Sequence, residues 1–471
     1  MKHSYQYLKG HTIICRVASM LLCVLILSSC EKYVDIKKSS NQALIETASD
    51  CQLLLDNYGV MNTGFPSDGE ASADDYYLTD DGYLSSSLTQ TDRDRHTWAP
   101  SGIRPGAAQW VNPYKTVYYA NLVLETVEEL KSKGSADVTV LNNLRGAALF
   151  FRSFCFWQIA QLYAKPYSAA SAEQDPGIPL RLSSDINDKS ERGTVAQTYA
   201  RIVQDLQEAV SLLQPTSTVP TRPNKAAAYA MLARTYLSME DYAQAQASAD
   251  ASLQINNQLI DYNTLDVNSY TPFFPRFNKE VLFHSLMEQQ PALNPNDIAK
   301  INLDLVNTYS ANDLRRSIFL KPNSGDNTGS YRFTGNYEPA TSALFFNGLA
   351  VDEMYLIRAE GYARAGNVTA SMGDLNTLLR TRWKIGTYVD MAAVDGTDAL
   401  NKVVAERRKE LLMRGLRWTD LRRLNKDTRF ARTLSRSAQE TTYTLPPNDI
   451  RYTLLIPQEV INNSQISQNP R

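Results

Sequence analysis

The sequence predicts a mostly α protein in which helical hairpins form a scaffold and long irregular loops carry the ligand site. Three observations predict it. From Leu141 to Leu162 apolar residues recur without a break at spacings of three and four (Leu141, Leu144, Ala148, Phe151, Cys155, Ile159, Leu162), the period of one buried helix face. A helix–turn–helix pattern at Tyr229–Leu253 recurs at Ala359–Leu379. Between such stretches the chain is rich in Asp, Ser, Gly, Asn, Pro and Tyr with no sustained period.

In chain order, the first segment is a leader. Lys2, Lys9 and Arg16 precede an apolar run from Val17 to Leu27, and Leu27-Ser28-Ser29-Cys30 ends it on small residues. The run is far short of the roughly 20 residues a membrane span needs. The ending resembles a bacterial lipobox, so residues 1–29 read as a lipoprotein signal peptide and Cys30 as the acylated mature N-terminus. Several acyl chains at about 0.8 kcal/mol per buried methylene make a durable anchor. A polar tether, Glu31–Ser40, follows, then a short helical pattern through Leu44, Ala48, Cys51 and Leu55.

Gly59 to Gly106 has no period, yet it holds Tyr76, Tyr77, Tyr83 and Trp98. Long aperiodic stretches inside a domain are usually functional or disordered, and aromatic content argues for order. Helices are predicted over Trp110–Lys131 and Leu141–Tyr163, the second doubly apolar because Phe150, Phe154 and Trp157 add another face. Lys165–Arg192, with Pro166, Pro176, Gly177 and Pro179, reads as an extended connector, and Val195–Leu213 as a helix. Tyr229, Leu232, Ala233, Tyr236 and Leu237, a turn at Glu240-Asp241, then Tyr242, Ala245, Ala249 and Leu253 make a tetratricopeptide-like hairpin. Ala359 and Tyr362, a turn at Gly366-Asn367, then Val368, Met372, Leu375 and Leu379 make another. Residues 257–345 separate the two and should emerge as loops on one face. The expected organisation is therefore 1–29, 30–256 with the first hairpins, and 257–471 with the inserted loops and a further hairpin.

Ala399–Asn425 reads as one charged helix in which Arg407 and Glu410 share a face with Leu400, Val403, Val404 and Leu411. Charges on an apolar face need partners, and Glu410 has Arg414 at i,i+4.

Composition narrows the function. Without residues 1–29 the charge count is 45 Lys and Arg against 50 Asp and Glu, a net of −5. Such a balance argues against nucleic acid, whose binders need a basic stripe. Three cysteines and two histidines (His96, His284) follow the leader, and Cys51 and Cys155 sit in apolar helical patterns as buried thiols. HExxH, CxxC, Walker and GxGxxG spacings are absent from the sequence, so neither a metal nor a cofactor is expected.

The chain resembles the SusD/RagB family of outer-membrane nutrient-binding lipoproteins. The resemblance runs through Cys30 with Glu31-Lys32-Tyr33-Val34-Asp35, Trp98-Ala99-Pro100 ahead of Val117-Tyr118-Tyr119-Ala120-Asn121, the Arg145–Tyr163 helix with Pro166, and Glu353–Gly366. Most specific is Glu406-Arg407-Arg408-Lys409-Glu410-Leu411 continued by Gly415–Arg423, and the chain ends on Leu455-Ile456-Pro457-Gln458 and Asn469-Pro470 in the same manner. The resemblance implies four tetratricopeptide-like hairpins with ligand loops, an outer-membrane location facing the exterior, and partnership with a SusC-like TonB-dependent transporter. It implies capture of a glycan, or of peptides as in some relatives, without catalysis. A runner-up is a scaffold that only binds and gates the transporter.

Glu406 and Glu410 lie one helical turn apart, near the carboxyl separation of a retaining glycosidase. One of them would have to donate a proton, and Arg407, Arg408, Arg414 and Arg417 oppose that, so the pair reads as an ion network and not as catalytic residues. The ligand residues are expected on the loops, because a pyranose presents an apolar C–H face to aromatic rings and its hydroxyls need planar polar partners. Trp98 leads, with Tyr76, Tyr77, Tyr83, Asp75 and Arg93; Tyr270, Phe273 and Phe274 are second, Tyr331 and Tyr337 third. Trp157, Trp383 and Trp418 read as core, Trp418 stacking on a guanidinium, while Trp110 is open to either reading. Asp74, Asp75, Asp80 and Asp81 lack EF-hand spacing and read as a solvated turn.

Overall fold

The computed structural model describes residues 45–99, 107–267, 274–296, 298–339, 344–464 and 466–471. The leader, Cys30, Tyr270 and Phe273 lie outside the described residues. Glu46–Arg471 forms one compact unit, and no helix among the described residues is long and apolar enough to cross a membrane.

Ten helices of eight or more residues occur among the described residues: α1 Ala48–Leu55, α2 Ala108–Lys133, α3 Val138–Tyr163, α4 Val195–Leu212, α5 Lys225–Ser238, α6 Tyr242–Ile255, α7 Val351–Arg364, α8 Val368–Arg380, α9 Gly396–Glu410 and α10 Arg417–Leu424. Their starts are written in the sequence. Thr47 and Thr194 close capping boxes with Asp50 and Gln197, and Asp137, Asn224, Asp241, Asn367 and Asp395 each accept from a first-turn N–H. From α2 to α9 each long helix packs on the next, α6 meeting α7 across the inserted segment. The helical-hairpin scaffold is therefore the architecture. Small residues let the hairpins close: Ala233, Ala245 and Ala249 are buried, and at Gly361 an added Cβ would stand 2.6 Å from Gln246 Cβ.

Three expectations need correction. The described part of Gly59–Gly106, up to Ala99, is no plain loop: helical turns at Asp68–Ser72, Asp80–Leu84 and Gln90–His96 and a strand at Tyr76–Tyr77 order it. The charged C-terminal helix is two, α9 and α10, broken where Met413 and Gly415 take left-handed φ of 58° and 73°. Residues 257–345 do not simply protrude as loops. Tyr262, Phe274, Phe319, Tyr337 and Phe345 build a core there, and Ala71, Tyr76, Leu78 and Leu88 join it.

The strands are short two-stranded antiparallel ribbons, among them Tyr76–Tyr77 with Lys300–Ile301, Val281–Phe283 with Leu349–Ala350, and the hairpin Leu434–Ala438/Thr441–Leu445. Cys51 and Cys155 are buried free thiols.

Candidate functional site

The Asp68–Trp98 segment lies on a bed of arginines supplied by the C-terminal third of the chain. Arg408 Nε donates to Asp75 at 2.7 Å, Arg417 Nε donates to Asp74 at 2.6 Å, and Arg432 stands 3.5 Å from Asp74. Burial opposes ionisation of Asp74, but Arg417 and Arg408 outweigh it and hold its carboxyl well below the usual range. Asp74 and Asp75 therefore form a buried ionic latch, not the solvated turn their composition suggests, whereas Asp81 is exposed as expected. Asp80 is exposed and accepts from the Gln439 N–H at 2.7 Å. Glu70, in the same segment, accepts from the Gly415 N–H at 3.0 Å. Burial and the neighbouring Asp75 push its carboxyl up to about 8.

The same latch decides where the expected ligand residues stand. Trp98 is 1 % exposed and its Nε1 donates to Ser72 O at 2.9 Å. Arg436 stacks on both Trp98 and Tyr76, each 4.8 Å from guanidinium to ring, and Tyr76 donates to Ala71 O at 2.6 Å. Phe274 is fully buried between Tyr262 and Tyr337. Trp98, Tyr76, Asp75 and Phe274 thus anchor their segments and present no open face to a ligand. For Trp98, Tyr76 and Asp75 the physical reason is the arginine bed, since a stacked cation and a bound carboxylate attract more strongly once water is excluded; for Phe274 it is packing between two buried rings. Tyr77 and Tyr83 keep an edge in solvent. Arg93 lies over Tyr83 at 6.0 Å and spends its donors on Tyr83 O and Ser85 O. Tyr331 is half-buried, and Tyr337 is buried and donates to Glu280 at 2.6 Å.

The Glu406-to-Arg423 signature is the centre of the ion network. Arg315 bridges Glu406 at 2.6 Å and Glu410 at 2.9 Å, while Arg382 joins Glu410 at 2.7 Å to Glu280 at 2.9 Å. Arg407 holds Asp420 at 2.8 Å and Arg423 holds Glu360 at 2.7 Å. The expected Glu410–Arg414 pair does not form, since Arg414 turns to Asp352 at 3.2 Å. Nor does Trp418 stack on an arginine: its ring lies 4.7 Å from Tyr452. Among the described residues no group of three or more His, Cys, Asp or Glu side chains is placed to hold a metal ion.

A large cleft opens elsewhere. About 570 Å³ of space lies between α2, the Pro179–Ser190 segment and the helical turns at Gln458–Ser464. Trp110, Tyr114 and Tyr118 line it from one face of α2. Sequence reasoning left Trp110 open and passed over the two tyrosines, although their i, i+4, i+8 spacing was legible.

Comparison with known proteins fits this architecture. Residues 32–237 match the SusD-like family model described as starch-binding and associating with the outer membrane, and residues 352–471 match that of the SusD family. No curated protein matches. A putative sugar binding protein from Bacteroides vulgatus is 21% identical, with 91% of this chain and 99% of that one covered and a TM-score of 0.71. A SusD superfamily protein from Bacteroides thetaiotaomicron is 21% identical, with 90% and 100% covered and a TM-score of 0.71. A laminarin-binding SusD-like protein is 16% identical, with 90% and 98% covered and a TM-score of 0.65. At these identities the likeness is one of fold. With two family models covering both ends of the chain, and the Glu406–Arg423 signature at the heart of its ion network, the chain belongs to the SusD/RagB family.

Proposed function

We propose that this chain is a non-catalytic binding protein that captures oligomeric nutrients, glycans foremost, at the outer-membrane surface. It then delivers them to a SusC-like TonB-dependent transporter. The observation that carries the reading is the state of the signature carboxylates. Glu406 and Glu410 are committed to Arg315 and Arg382 inside the scaffold, where they serve rigidity. A rigid stack of hairpins holding loop aromatics suits capture without bond chemistry. Family membership and the sugar- and laminarin-binding names of its structural relatives support a saccharide ligand. Acylation at Cys30 would tether the protein to the membrane, and the partly exposed Tyr77, Tyr83 and Arg93 are the loop residues proposed to touch ligand.

Isothermal titration against a panel of oligosaccharides and peptides tests this reading. Saccharide binding that weakens in Tyr83→Ala supports it. Titration of peptides alone assigns the chain to the peptide-binding members of its family. A second reading, a scaffold that only gates the transporter, is favoured by the burial of Trp98, Tyr76 and Phe274. Co-purification of the transporter with no heat of binding to any panel member would establish that second reading instead.

A further inference from the structure

We infer that the cleft against α2 binds a ring carrying a carboxylate, the chemistry of an acidic sugar residue. The inference rests on the reading of the chain as a glycan binder and adds to it a second seat, apart from Tyr77, Tyr83 and Arg93, with its own ligand class.

Three observations carry it. First, the walls are tied together before any ligand arrives. Asn121 Nδ2 donates to Arg181 O at 3.0 Å and Ser183 O at 3.1 Å, and Glu125 accepts from the Ser184 N–H at 2.7 Å, so α2 holds the Pro179–Ser190 segment. Tyr114 donates to Pro179 O at 2.7 Å, and Arg192 donates to Ser467 O at 3.0 Å, joining the C-terminal segment to the strand beside it. A site whose walls need no ordering keeps more of its contact energy as affinity.

Second, the lining has the wrong chemistry for water alone. Trp110, Tyr114 and Tyr118 stand at successive turns of α2, a rise of about 6 Å between them. Beside Trp110 on α2, Val111 is 50 % exposed, and across the opening Ile186 is 78 % exposed; both line the cleft. Apolar side chains left open around a concave surface mark a place that something else covers. Aromatic edges and aliphatic walls together suit the C–H face of a sugar ring.

Third, two cations reach the same cleft without a carboxylate partner. Lys115 is exposed and makes no ion pair among the described residues. Arg181 folds its guanidinium onto Asp185 O and Asp188 O, backbone carbonyls that leave its charge uncompensated. Glu459 is the single carboxylate lining the cleft among the described residues. An anionic substituent on the bound ring would meet the excess positive charge, and charge-assisted contacts are the strong ones.

The test titrates the purified protein with trigalacturonic acid and with maltotriose. Trigalacturonic acid should bind more tightly than the neutral trimer. Lys115→Gln should cost about tenfold in affinity for the acid, the scale of one lost charge-assisted contact, and little for the neutral sugar. Val111→Asp should abolish acid binding by blocking the cleft, whereas Ile385→Asp, at a distant exposed loop, should leave it unchanged. Wild-type affinity for the acid in both Lys115→Gln and Val111→Asp would place the ligand elsewhere and overturn the cleft. It would leave the glycan-binding reading intact. Binding of maltotriose alone would overturn the acidic ligand class and likewise keep that reading. A wild-type protein that binds neither trimer nor any other oligosaccharide would sink both. Retained thermal unfolding in the two variants separates lost binding from lost fold.

Discussion

Tyr76–Trp98 and the Pro179–Ser190 segment make opposite use of aromatic chemistry. The first carries its own tyrosines and tryptophan, looks like a binding loop, and is pulled into the interior by arginines from 330 to 360 positions further along the chain. The second carries no aromatic residue, reads as a plain connector, and forms one wall of a cleft whose aromatics come from α2. What separates them is the charge beneath. Arg408, Arg417 and Arg436 give Asp74, Asp75, Trp98 and Tyr76 buried partners, whereas Arg181 turns back on its own loop. Composition marks a segment as able to bind something, and the packing decides whether that something is a ligand or the protein itself.

Four measurements would break or sharpen that contrast. The largest effect is expected from Trp98→Ala. Removing a tryptophan that is 1 % exposed should cost about 3–5 kcal/mol in urea unfolding. A loss under about 1 kcal/mol, the scale of a surface substitution, together with weakened glycan binding, would return the ring to the surface. Next comes Arg417→Met, which strips Asp74 of its closest cation. Arg408 at 3.2 Å and Arg432 at 3.5 Å remain beside Asp74, so the loss should be about 2 kcal/mol, less than for a fully stranded buried charge, and an unchanged denaturation midpoint would mean the latch is not holding the segment.

Glu70 gives the third. Burial and the neighbouring Asp75 push its carboxyl up to about 8 in the folded chain, from an ordinary 4.5 in the unfolded one. The folded state therefore takes up the proton more readily, and this contribution is whole below about pH 4.5 and lost as pH rises through about 8. Glu70→Gln should flatten the stability profile over that window and leave the variant more stable than wild type above about pH 8. Parallel profiles would show that Glu70 reaches water. The smallest effect belongs to the other region. Val111→Asp and Ile186→Asp lie on exposed cleft walls and should shift stability by no more than about 0.5 kcal/mol. A large loss in calorimetry would make that cleft a packed interior too.

Much of the scaffold was legible. The Leu141–Leu162 stripe and the two hairpin patterns fell where helices form, because periodicity involves residues within a few positions of each other. The ion-pair partners were not. Glu410 was matched to Arg414 one turn away, yet it binds Arg315 and Arg382, brought to it by the inserted segment and by the end of α8. The break after α9 was missed for a related reason: Met413, a non-glycine residue, holds a left-handed φ that nothing in its side chain announces.

The sequence by itself determined that this chain would be a stack of capped, amphipathic helices with charged groups on buried faces, since each of those features is a property of neighbouring residues. Only the tertiary structure decided which aromatics are covered and which line a cleft. That choice depends on whether a guanidinium from the far end of the chain arrives at a ring and excludes water from it. It arrives at Trp98 and Tyr76. The tyrosines of α2 stayed at the edge of open space.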